Sequence, residues 1–218
     1  VSSAGGSARR EYHRRRDARA RDIRSRHPRV GGFILAVTDE PQSTKAWATG
    51  ATGEEETGRW LDRLASAGAV RVLHDRRIPR LRSNIDHIVI APGGVFVVDS
   101  KRYHGRVERR VTGSIFHPGP TNLYVGGRDR TSLASGVQKQ LDAVSVALAG
   151  LGRPDVDMAG VLLFTTGDFS LFAKPFRIDG VEVHWPRSLS KRLKQPGPHS
   201  VETIAAIHQH LGNALPPA

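Results

Sequence analysis

Asp86, Asp99 and Lys101 lie inside two runs otherwise built from Ile, Val, Phe and Ala, within the stretch NIDHIVIAPGGVFVVDSKRYHG at 84–105. A carboxylate or ammonium placed in a buried sheet is costly unless it is paired or coordinated, so these three charges require a reason. Two carboxylates with a neighbouring lysine suit a hard divalent cation, Mg²⁺ or Mn²⁺, which takes oxygen ligands and completes its shell with water and phosphate. The lysine can position the attacking water and neutralise charge developing on phosphorus, which is the chemistry of phosphodiester hydrolysis. The alternative is a buried salt bridge of Asp99 or Asp86 with Lys101 that serves the fold alone.

Whether the three groups meet depends on the turn at Pro92–Gly94. A loop of two or four residues pairs Ile88 with Asp99 and Asp86 with Lys101, so that all three charges share one face near one end of the hairpin. A three-residue loop breaks that parity and sends Asp86 to the other side. His87 falls on the opposite face and reads as a structural hydrogen bonder. Upstream, GEEETGRWLDRLASAG has helical spacing from Glu54 to Ala67, with Trp60, Leu61 and Leu64 apolar. Of its three consecutive glutamates, Glu54 lies about 60° from the apolar centre, while Glu55 and Glu56 point away and suit the positive end of the helix dipole. Glu54 is therefore the acid that leans toward the sheet.

The elements around these residues read as one domain. Strands are expected at VRVLHDRRIP, across the hairpin, at GRVERRV and SIFHPG, and at MAGVLLFTT and GVEVHW; helices at SLASGVQKQLDAVSVALAGL and SVETIAAIHQHLGNAL. This order describes an α/β domain with a mixed sheet covered by helices. The absence of cysteine removes thiol catalysis, disulfides and zinc–thiolate sites. The apolar stretches are far shorter than a membrane span and no signal peptide is evident, so a cytoplasmic protein without a membrane partner is expected. His208 and His210 lie two apart on a helix and do not share a face.

Charge is the other feature. The net charge is +12, and Ser7–Arg29 holds ten Arg against three acids. Residues 1–44 are read as a basic N-terminal arm and docking segment, with Val30–Thr44 docking the arm onto a domain at 45–218. Arg14, Arg15, Arg16 and Arg19 are the arm's candidate nucleic-acid contacts; a solvated helix or an anionic membrane surface is the other reading. A second basic surface is available at Arg76, Arg77, Arg80 and Arg82. Lys101, Arg102 and Tyr103 are the domain's own candidate nucleic-acid contacts.

GATGEEETGRWLDRL, VLHDRRIP, the 84–107 hairpin and GVQKQLDAV together resemble the nuclease-related domain, NERD, of the PD-(D/E)XK nuclease superfamily, over roughly 47–151. The resemblance implies a restriction-endonuclease-like core and a nuclease dependent on Mg²⁺ or Mn²⁺, with DNA favoured over RNA as partner. It places Glu54 as the helix-borne glutamate, Asp86 as the strand aspartate and Asp99 with Lys101 as the (D/E)-x-K pair. Gln140 matches a glutamine carried on the following helix, with Gln138 as its rival. Ile85 stands where the superfamily often has proline. A catalytically silent nucleic-acid-binding module of the same fold is the alternative.

Overall fold

The computed structural model describes residues 3–68, 70–81, 83–113, 118–153 and 156–218. Its centre is a six-stranded sheet in the order β1-β2-β3-β7-β9-β8. The strands are β1 (Arg71–Arg77), β2 (Asn84–Ala91), β3 (Gly94–Lys101), β7 (Met158–Phe164), β8 (Phe176–Ile178) and β9 (Val181–His184). β1, β2 and β3 form an antiparallel meander, β3, β7 and β9 run parallel, and β8 returns antiparallel to β9. Strands β2 and β3 are apolar over Ile88–Ala91 and Val95–Val98 because helices cover both of their faces there. This mixed sheet flanked by helices fits the restriction-endonuclease-like architecture expected.

Alternation along the strands sorts the core into two layers. Ile88, Ile90, Val95 and Val97 pack beneath α4 (Leu133–Ala149) and α6 (Val201–Ala214), whereas Val89, Phe96, Val98 and Val161 pack beneath α3 (Gln42–Ser66) and α5 (Pro186–Leu193). Gly160 permits close packing on the first face: a Cβ there would lie 2.6 Å from Val137 and 2.8 Å from Leu141 of α4. Ser200 caps α6 by accepting a hydrogen bond from the Thr203 backbone N–H. Between β3 and α4 a second sheet of three strands is inserted: β4 (Val107–Gly113), β5 (Pro118–Val125) and β6 (Arg128–Asp129). The strand expected at SIFHPG falls largely on 114–117, outside the described residues; β5, β6, β8 and α5 carry too weak a periodicity to be read from sequence.

The N-terminal segment differs from a free arm. It forms α1 (Gly6–Arg26), whose first turn is built into the domain, followed by α2 (Gly31–Val37). Ser7 donates from its backbone N (2.7 Å) and Oγ (2.6 Å) to the Asp75 carboxylate, and Arg9 forms a two-nitrogen contact with Glu55 of α3 at 3.0 and 2.6 Å. Ala8 is buried, and a Cβ on Gly58 would collide with that of Ala4. Val30–Thr44 does not perform the docking expected of it: α2 packs on α1 and leaves Phe33 70% exposed. Docking falls to the small residues of the first turn because they let two helix backbones approach. The helix expected at Glu54–Ala67 in fact starts at Gln42, since Gly50 and Gly53 do not stop it.

Candidate active site

The hairpin closes through a two-residue turn, Pro92–Gly93, with Ala91 paired to Gly94 and His87 to Val98. Gly94, at φ 127°, leaves room for the Asp157 carbonyl, which a Cβ would meet at 2.3 Å. Parity is as expected, but the pairing is offset by two residues from the one inferred: continued one step, the register sets Asp86 opposite Asp99, and Val97, not Asp99, faces Ile88. The cause is the place of the turn: Pro92–Gly93 forms it, one residue earlier than the Gly93–Gly94 turn that the expected pairing requires. Directly opposed residues of an antiparallel pair share a face at close range, so the two carboxylates are forced together more closely than the sequence reading implied.

The electrostatics follow from that forced proximity. Burial pushes the Asp86 carboxyl well above the usual carboxylate range, and the negative charges of Asp99 and Glu54 push it further. Asp86 Oδ2 accepts a hydrogen bond from the Ser100 backbone N–H at 3.4 Å. Lys101 Nζ lies 2.5 Å from Asp99 Oδ1. Burial alone would lower the lysine's pKa, but Asp99 and Asp86 overcome it and hold the ammonium charged. Glu54 is pushed up to about 7, first by burial and then by Asp75, with Lys101 opposing. Glu54, Asp86, Asp99 and Lys101 thus share one electrostatic neighbourhood at one end of the sheet.

Gln140 lies on the α4 face between Val137 and Val144, both buried against the sheet, and its Oε1 is buried without a hydrogen-bond partner. Gln138 instead donates to the Asp179 carbonyl at 3.0 Å, so the geometry separates the two glutamines. His87 sits on the opposite face, as expected. His74 bonds Asp62 Oδ1 through Nε2 (3.0 Å) and His87 Nδ1 through its own Nδ1 (2.8 Å); burial holds the His87 pKa well below its usual value. His208 and His210 bond the carbonyls of Val72 and Ala147.

The expected nucleic-acid contacts are placed unevenly. Arg14 and Arg15 both pair with Glu11, Arg15 also covers the Trp47 ring, and Arg19 donates to Thr38 Oγ1. Arg16 stands exposed with no partner among the described residues. Arg102 folds back over Gly53 of α3 and pairs with Glu56 at 3.2 Å. Tyr103 packs on Phe164 beneath the Arg130 guanidinium. The second basic surface loses Arg76, which is buried and donates to the carbonyls of Leu215 and Gly212; Arg82 lies outside the described residues.

Asp75 is the site-facing residue that the sequence reading missed. It occupies the β1 position beside Asp86, is only 2% exposed, and has a left-handed backbone at φ 46°. An acid inside the strand run VLHDRR was the available signal, but no pattern in the sequence ties it to Ser7.

An α/β domain whose sheet edge brings together an aspartate from one strand, a D-x-K pair from its neighbour and a helix-borne glutamate defines a nuclease-like class of protein. A family model of the nuclease-related domain matches residues 49–165, more than half of the chain. The protein belongs to the nuclease-related domain (NERD) family. No curated protein and no solved structure matches it. Among the described residues no helix is long and apolar enough to cross a membrane.

Proposed function

We propose that the protein is a nuclease that hydrolyses phosphodiester bonds, in DNA, with Mg²⁺ or Mn²⁺ as cofactor. The observation that carries the reading is the register-enforced pair Asp86–Asp99 with Lys101 Nζ against Asp99 Oδ1. Among the described residues no three His, Cys, Asp or Glu side chains gather into a metal cluster. Two facing carboxylates are nonetheless the complement that Mg²⁺ takes when water and substrate phosphate supply the remaining ligands. Asp86 and Asp99 would hold the cation, with Glu54 at the rim. The partnerless Gln140 Oε1, a hard oxygen donor on the same sheet face, fits that set.

When bound, the cation supplies Lewis-acid activation of water and phosphate. The chain's own groups do the positioning. Lys101, kept charged by the acids around it, lies where it can orient the attacking water and balance charge on the phosphoryl oxygens. Gln140 can hold a water through its free oxygen. Glu54, at the rim of the acids, can accept a proton from a water held there.

The test is cleavage of labelled single-stranded, duplex and branched DNA, and of RNA, under Mg²⁺, Mn²⁺ or EDTA, with Asp99→Asn as control. Cleavage that requires the cation and is lost in Asp99→Asn is expected. Binding without cleavage under either cation would make the protein a silent nucleic-acid-binding module, and cleavage by Asp99→Asn would place the activity elsewhere.

A further inference from the structure

The loop at 165–175, between β7 and β8, is the common wall of two grooves on the sheet edge that carries Lys101. One groove, of about 1010 Å³, lies toward α5 and is lined by Leu171, Lys174, Arg187, Lys191 and Trp185. The other, of about 550 Å³, lies toward β4 and is lined by Phe172, Lys174, Arg106, Arg109 and Arg110. Leu171 and Phe172, at the tip, are 92% and 89% exposed, and each faces a different groove.

The base of this loop is fixed. Thr165 N donates to the Lys101 carbonyl, Thr166 Oγ1 to that of Tyr103, Asp168 N to that of Gly105, and Val107 N to that of Asp168, all between 2.9 and 3.2 Å. The loop therefore leaves the sheet at a set place beside Lys101.

The chemistry of both grooves points to one kind of occupant. Among the described residues Lys174, Arg187 and Lys191 have no carboxylate partner in the first groove, nor does Arg109 in the second, where Arg106 and Arg110 share Glu108. Phe169 and Trp185, half-buried and centred 4.8 Å apart, line the first groove above the buried Phe164 ring. Unpaired cations with aromatic platforms fit the backbone and bases of single strands. Two apolar side chains projecting between two such grooves have the form of a wedge that enters between bases.

We propose that the 165–175 loop is a strand-separating wedge, so that the substrate is a duplex carrying a single-stranded branch, with the two strands parting around Leu171 and Phe172 into the two grooves. This deepens the nuclease reading and rests on it only for where the scissile phosphate lies.

The experiment compares the full chain with a Leu171→Ser/Phe172→Ser variant, in EDTA, on a forked duplex, a blunt duplex and a single strand of the same sequence. 2-Aminopurine is placed at the first base pair of the fork. The wild type should bind the fork about tenfold more tightly than the blunt duplex and raise the 2-aminopurine fluorescence. The variant should lose that preference and the signal while keeping its affinity for blunt duplex. Arg187→Glu/Lys191→Glu should weaken fork and single-strand binding about tenfold. Equal affinity for fork and blunt duplex, or an unchanged tip variant, overturns the wedge. So does tip-dependent binding to anionic phospholipid vesicles without fork preference. Fork preference without cleavage under Mg²⁺ or Mn²⁺ would keep the wedge and remove the nuclease reading; cleavage without fork preference would do the reverse.

Discussion

Two stretches of one sheet edge differ in almost every physical respect. At the ends of β1, β2 and β3 the side chains are acidic, buried and mutually repelling, held by strand register and by one lysine. At the ends of β7 and β9 they are basic, aromatic and open, and carried by a loop and α5. Buried like charges raise one another's pKa and are tolerated where a proton or a cation relieves them; exposed cations cost little and act on a polyanion at a distance. On the function proposed above, the acidic end carries the chemistry and the basic end holds a strand beside it.

That contrast breaks most visibly in kinetics. Lys101→Ala should lower the single-turnover cleavage rate by roughly 10³-fold or more, because it removes a charge acting where negative charge develops. Its affinity for the fork should stay within about threefold. Arg187→Glu/Lys191→Glu should do the opposite, raising KM about tenfold. A site variant and a rim variant with the same kinetic signature would erase the division.

The next effect concerns the support of the acidic end. Asp75 holds the first turn of α1 through Ser7 N and Oγ, so deleting residues 1–29 leaves a buried carboxylate short of its donors. Urea denaturation should show a loss of about 3 kcal/mol. A truncated chain as stable as the whole would mean that α1 is only laid on the surface.

The acidic end should also mark the pH dependence of the metal-free protein. Glu54 titrates near 7 in the fold, against 4.5 ordinarily. The folded carboxyl therefore keeps its proton where the unfolded one has lost it. Its contribution to stability is complete below 4.5 and is lost as pH rises through 7. In EDTA, stability should fall between pH 5 and pH 8 by at most about 3 kcal/mol, and Glu54→Gln should flatten the curve. A wild-type profile no steeper than the variant's would show that Glu54 is solvated.

The smallest effect lies on α1. Arg16→Ala should reduce the slope of log K against log salt on duplex DNA by about one unit or less. Arg14→Ala and Arg15→Ala should change it even less, since Glu11 already engages both side chains. Equal slopes in all three would leave α1 as a solvated helix.

Local pattern accounts for what was legible. Period-two alternation and a proline–glycine turn carried the hairpin, and parity alone put Asp86, Asp99 and Lys101 on one face; helix phase singled out Glu54 from Glu55 and Glu56. The exact partner across the hairpin was not legible, because parity is preserved when the register moves by two and the sequence does not state which two residues of Pro92–Gly94 make the turn. Gln140 over Gln138 was a matter of which helix face meets the sheet, and only packing on Gly160 and Leu162 settles that.

The sequence by itself determined the chemistry available: no thiol, a small set of strand-borne charges among apolar neighbours, and an excess of arginine. These depend on residue type and short-range periodicity, which any reader of the chain can count. The tertiary structure decided which charges are neighbours and which are already engaged. It turned the expected arm into a helix whose first turn meets Asp75, 68 residues away, and it buried Arg76 against the C-terminal carbonyls. It also set two exposed apolar residues between two basic grooves. Contacts of that kind join segments far apart in the chain, and their energies arise only after folding brings the segments together.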